Sequence, residues 1–258
     1  MRIKSLGHAA YAAAMIFLGI LGLIKGNFAP GWAPVPKSAP AQSVLVYLTA
    51  FISLLCGIGL LFQRTAAIAS RLLFVYLLLW LLLFRVPYLF PLSVGSTWSC
   101  GCTAVMLAAA WVLYIWFAGD QDKQRFKFAT GDSGLRIART LFGLGLIPFG
   151  MAHFLYLKET VVLIQSWPAP VAWAYFTGGA FIAAGIAIVI GVFAQLAALL
   201  TALQIALFTL IIWVPRAAVR NLSAFQWGEF IVSCVLAAAA CVVADSYRGT
   251  PWLAIGKR

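Results

Sequence analysis

Eight apolar runs, each of about 20 residues, fill almost the whole chain and decide what it can fold into. A run of that length crosses a ~30 Å hydrocarbon core as an α-helix. A helix also satisfies its own backbone N–H and C=O groups where water cannot reach them. The runs fall at 7–25, 43–62, 66–86, 99–118, 136–157, 171–192, 195–214 and 227–245. They are continuous and do not alternate, which excludes a transmembrane β-barrel. The chain is 64% hydrophobic and 9% charged, where a soluble domain carries roughly 25% charged residues. The expected fold class is therefore all-α, a polytopic membrane protein with eight transmembrane helices. Arg2 and Lys4 precede the first run as they would in a secretory leader. No convincing small-residue cleavage site follows, so this run is expected to remain a helix.

The chain also repeats itself. Pro40 meets Pro168, and Pro87 meets Pro215, at a constant offset of 128 residues. The same offset brings Ala41 onto Ala169, Tyr47 onto Tyr175, Gly57 onto Gly185 and Leu18 onto Leu146. One further residue of shift brings Trp98 onto Trp227. Self-similarity on this scale points to duplication of one unit. The expected organisation is a four-helix repeat at 1–118, a polar linker at 119–135 and a second four-helix repeat at 136–258. With four spans each, the two copies share one orientation and should be related by an axis along the membrane normal. A closed four-helix unit would set its first and last spans side by side.

Basic residues set the orientation. With the N-terminus inside, twelve Lys and Arg fall inside, among them Arg2, Arg64, Arg71, Lys257 and Arg258. Six fall outside: Lys25, Lys37, Arg85, Lys158, Arg216 and Arg220. That asymmetry favours cytoplasmic termini in a bacterial inner membrane. The formal charge of +12 then acts as an insertion signal and an attraction to anionic lipid. It provides no contiguous basic surface for nucleic acid.

Polar residues that could support chemistry gather on the outer side. Two first loops are rich in Pro and Trp, Phe28–Pro36 and Gln165–Pro170. They read as interfacial caps or as a lid over a cavity opening outward. Lys25, His153, Arg216 and Glu229 lie near helix ends on the same side. Either they only touch headgroups and water, or they form an outward polar pocket in which Glu229 pairs with Lys25, Arg216 or His153. In the second reading Trp213 and Tyr175 wall the pocket, and Lys25 and Cys100 hold the equivalent, altered place in repeat 1. Cys56, Cys234 and Cys241 stand in apolar interiors as small core residues. Cys100 and Cys102, in Trp98-Ser-Cys-Gly-Cys102, are structural or free thiols, a strained redox pair, or, least favoured, metal ligands. No phosphate loop, dinucleotide fingerprint, zinc-protease or haem-attachment motif is present. Asn221-Leu-Ser223 is a glycosylation sequon, a triplet common by chance.

Several of these residues also carry a resemblance. Gly150-Met-Ala-His-Phe154, Trp173-Ala-Tyr-Phe-Thr-Gly-Gly179, Ala184-Gly-Ile-Ala-Ile188 and Gly191-Val-Phe-Ala-Gln-Leu-Ala197 resemble the DoxX-like family of four-helix membrane proteins. Trp213-Val-Pro215, Gln226-Trp-Gly-Glu229 and Val243-Ala-Asp-Ser-Tyr-Arg248 fit the same pattern. The resemblance covers about 136–248 and reaches the first half through the internal repeat, which lacks the His and the Glu. It implies an association with membrane redox systems, because that wider family includes a quinone-reducing thiosulfate oxidoreductase. The implied ligand is a quinone or another lipid-like molecule, and the implied partners are membrane redox proteins. The alternatives are a small-molecule or lipid transporter and a non-catalytic assembly subunit. One Glu at a span edge is too little for proton-coupled transport of charged solutes.

Overall fold

The computed structural model describes residues 4–36, 39–90, 92–219 and 222–255. Arg2, Lys37, Arg220, Asn221, Lys257 and Arg258 therefore lie outside the described residues. Eight long helices carry the fold: α1 (Leu6–Lys25), α2 (Gln42–Leu61), α3 (Ala66–Phe84), α4 (Val94–Phe117), α5 (Asp132–Leu155), α6 (Pro170–Ile190), α7 (Ala194–Phe208) and α8 (Ala224–Asp245). All eight belong to segments long and apolar enough to cross a membrane. Large apolar side chains such as Leu55, Leu83, Leu203 and Leu210 stand exposed on their outer faces. That surface suits acyl chains, and the protein is a multi-pass membrane protein.

Three helices start earlier than the apolar runs suggest. α4 and α8 open with capping boxes, Ser93 with Ser96 and Ser223 with Gln226. These polar first turns satisfy the orphan N–H groups and extend each helix beyond its apolar part. α5 begins at Asp132, inside the stretch expected to be a linker. The rest of that stretch is helical too, at Asp120–Arg125 and Lys127–Thr130. An Arg71–Asp122 ion pair at 3.0 Å and a bond from Trp111 Nε1 to the Ala129 carbonyl at 2.8 Å tie it to the helices.

Val86-Pro87 and Val214-Pro215 end the third helix of each half in different ways. Pro has no N–H to continue the ladder. After α3 the chain tightens into a 3₁₀ turn at Val86–Tyr88. After α7 it widens into a π turn at Thr209–Trp213, followed by a short helix at Val214–Ala218.

Positions 128 residues apart occupy matching places. Ala41 and Ala169 cap α2 and α6 in the left-handed region, at φ 49° and 50°. Leu18 and Leu146 are both fully buried. A Cβ on Gly22 would lie 2.9 Å from Ala50, and one on Gly150 would lie 2.5 Å from the Gly178 carbonyl. Small residues in these seams let α1 approach α2, and α5 approach α6, at backbone distance.

The helices do not form two closed bundles. α1 packs on α8, α5 packs on α4, and α4 touches α8 across the centre. α5 and α8, expected side by side, barely meet. Glycine decides this too. Gly101 and Gly145 bring α4 and α5 together, each Cβ position lying within 3.0 Å of the other's carbonyl oxygen. Gly7 likewise sits against the Cys241–Val242 backbone of α8. The first helix of each half thus docks on the last helix of the other. α4 is buried without a break from Gly101 to Tyr114.

Candidate functional site

Where α3 ends, Arg85 turns its guanidinium into the protein and is only 4% exposed. Its Nε donates to Thr103 Oγ1 on α4 at 2.9 Å. Its Nη2 donates to the Trp32 and Ala33 carbonyls at 2.9 and 3.0 Å, and Nη1 donates to the Pro34 carbonyl. A forked donor suits a row of carbonyls in a way a lysine could not. The loop between α1 and α2 is consequently pinned down onto the helices. Trp32 is buried between α2 and α3, donates to Ser53 Oγ at 3.1 Å and meets the Trp80 ring edge-on at 5.2 Å. The loop is thus anchored by its buried Ala29 and Trp32, with Ala33 and Pro34 at the surface. In the second half Arg216 makes a smaller version of the clasp, donating to the Leu163 carbonyl at 2.7 Å.

Beside this clasp lie the two thiols of α4. Cys102 is buried and Cys100 is half-buried, and both are free. Both stand within electrostatic range of the Arg85 charge. Two residues apart on an unbroken helix, their side chains leave on different sides. Joining them as a disulfide would require α4 to unwind at this point. Glu229, from the second turn of α8, lies within electrostatic range of Cys102. Glu229 makes no ion pair or hydrogen bond among the described residues. Cys102 thus lies within electrostatic range of Arg85 at the end of α3 on one side and of Glu229 on α8 on the other.

The other expected pocket residues lie elsewhere. His153 donates from Nδ1 to the Phe149 carbonyl at 2.8 Å, since a carbonyl can only accept. Its ring lies against Phe181 and Phe208, at 5.6 and 6.1 Å, towards α6 and α7. Tyr175 is exposed and stacks on Phe154 at 5.7 Å. Trp213 is buried in the π turn. Lys25 is exposed at the end of α1. Of Lys25, Arg216 and His153, none bonds Glu229. The physical reason is the exchange of neighbours: α8 packs against α4 and α1 and barely meets α5, so its carboxylate lies within range of Cys102 and not of the α5 histidine.

Among the buried polar residues, Arg85 and His8 have bonding roles that the sequence does not reveal. Arg85 reads in the sequence as a span-end charge, a place where arginines ordinarily reach out to the interface, so its burial carries no sequence signal. His8 accepts from the Lys4 N–H at 3.2 Å and donates from Nε2 to the Leu60 carbonyl at 2.9 Å. It is a satisfied core histidine linking α1 to α2. No group of three or more metal-ligating side chains occurs among the described residues.

Comparison with protein-family models, with curated proteins and with solved structures finds no match for this chain.

Proposed function

We propose that this protein is a membrane component of a respiratory or redox-stress system that holds a quinone or similar lipid-like ligand between its two halves. The observation that carries the reading is Glu229, a half-buried carboxylate without an ion-pair partner among the described residues. It stands across the α4–α8 contact, within electrostatic range of Cys102. Unpaired carboxylates in a membrane are costly and mark functional sites by default. The residues fit a quinone head: a carboxyl group can hydrogen-bond one ring oxygen, and the flanking apolar helices suit an isoprenoid tail. A bound quinone would supply a two-electron, two-proton carrier, and this chain would position its head and exchange protons at Glu229. The resemblance to the DoxX-like family supports the same class, and the matched positions of the two halves support duplication of a four-helix unit. Cytoplasmic termini in a bacterial inner membrane complete the reading, supported by the basic-residue asymmetry. Partner redox proteins would meet the outer face.

A short-chain quinone added to detergent-solubilised protein tests this. It should raise the melting temperature of the parent and leave Glu229→Gln unshifted, while the two proteins melt alike without ligand. Equal shifts in both would overturn the role of Glu229.

A further inference from the structure

On the face that carries the described chain ends, a cavity of about 340 Å³ opens between α5, the α6–α7 turn and the C-terminal tail. Ser133, Arg136 and Thr140 line it from one face of α5, at helical spacing. Gln195 lines it from the first turn of α7, and its Oε1 is buried without a hydrogen-bond partner. That turn is preceded by Phe193, whose side chain caps nothing. The opposite wall is the tail, held by a bond from the Phe193 N–H to the Ala254 carbonyl at 2.9 Å and a bridge between Val192 and Ile255.

Arg139 fixes the tail from the inside. Its Nε donates to Ser246 Oγ at 3.1 Å, its Nη2 donates to the Ser246 carbonyl, and its guanidinium lies 3.8 Å over the Tyr247 ring. Nη1 has no hydrogen bond to the described residues. Burial pushes the Tyr247 phenol up to about 12, with the Arg139 charge pulling the other way, so it stays protonated and able to donate. Arg136 has no ion-pair partner among the described residues. No carboxylate lines the cavity among them either. Two guanidiniums, hydroxyl donors and an uncapped helix start favour one class of ligand, an anion with several acceptor oxygens. The buried Gln195 acceptor adds a place for a ligand hydroxyl. Ile137 and Val189 supply an apolar flank at a helix end, where headgroups sit.

We infer that this cavity binds a phosphate group, in the membrane that of an anionic phospholipid headgroup. Basic pockets between transmembrane helices at this level are suited to such headgroups. The site is on the opposite face from Glu229 and stands whether or not the quinone reading holds.

The test uses the whole protein in mild detergent, titrated separately with phosphatidylglycerol, phosphatidylcholine and inorganic phosphate, with binding read by native mass spectrometry and by thermal shift. Phosphatidylglycerol should bind and protect, and Arg136→Gln should weaken that binding about tenfold, the scale of one charge-assisted hydrogen bond. Gln195→Leu should weaken it further without lowering the ligand-free melting temperature. Phosphatidylcholine should bind poorly. If inorganic phosphate protects as well as the lipid, with the same Arg136 dependence, the site takes free phosphate and the anion assignment holds. Equal phosphatidylglycerol binding by the parent, Arg136→Gln and Gln195→Leu would overturn the proposal, as would equal binding of phosphatidylcholine.

Discussion

Replacing Gly185 tests how the helices are held. A Cβ at Gly185 would stand 2.6 Å from the Gly143 carbonyl oxygen of α5, and one at Gly143 would stand 2.8 Å from the Gly185 carbonyl. Ordinary contact begins near 3.4 Å, so the two backbones would have to part by roughly 0.8 Å, with loss of the packing that joins helices in lipid. Overpacking of a tight core costs about 1–3 kcal/mol, and the extra carbons of leucine place Gly185→Leu at or beyond the upper end. Relief from glycine's poor helix propensity returns about 1 kcal/mol, which leaves a net loss of about 2 kcal/mol. For a chain of this size that corresponds to a fall of about 4–8 °C in melting temperature. Gly179, six residues earlier on the same helix, has nothing within 4 Å of its Cβ position. Gly179→Leu is therefore the matched control and should melt at or above the parent. Gly57→Leu should behave like Gly185→Leu, because its Cβ would lie 2.7 Å from the Ile16 backbone nitrogen. Circular dichroism melts in mild detergent decide it. A Gly185→Leu protein that melts with Gly179→Leu would refute the backbone seam.

Arg85→Lys should loosen the loop between α1 and α2, since one ammonium cannot serve Thr103 and the 32–34 carbonyls together; faster proteolysis within residues 26–41, with the helical content retained, is the expected result. Native labelling with a maleimide should modify Cys100 well before Cys102, which is 4% exposed, and mild oxidation should leave the pair unjoined. A disulfide between them recovered from folded protein would contradict an unbroken α4. In a cysteine-free background, Ser133→Cys should resist an impermeant thiol reagent applied to intact cells, and strong labelling from outside would reverse the proposed orientation.

The spans were legible because hydrocarbon thickness imposes a length, and apolar runs reveal it directly. Their ends were less so. Ser93 and Ser223 start α4 and α8 through hydrogen bonds that hydropathy ignores. The matched seams at Gly22 and Gly150 could be anticipated from the offset, because close approach needs small residues whatever the order of the helices. Which helix meets which could not. Connectivity suggested that α5 and α8 would be neighbours, but Gly7 against Cys241–Val242 and Gly101 against Gly145 direct the first helices across to the other half. The expected pocket dispersed for that reason: Glu229 joined α4, while His153 stayed with the aromatic rings of α6 and α7. The cavity beneath Arg139 was hidden for another reason. It needs the tail folded back onto the α6–α7 turn, a contact between segments far apart in sequence and with no periodicity of their own.

Native mass spectrometry of the protein released from its own membranes tests the central claim most directly. The parent should carry an adduct of quinone or isoprenoid-lipid mass, which Glu229→Gln loses and Arg136→Gln keeps, with all three proteins melting alike once stripped of bound ligand. An adduct of that mass retained at parental occupancy in Glu229→Gln would place the ligand away from the contact between the halves and contradict the account.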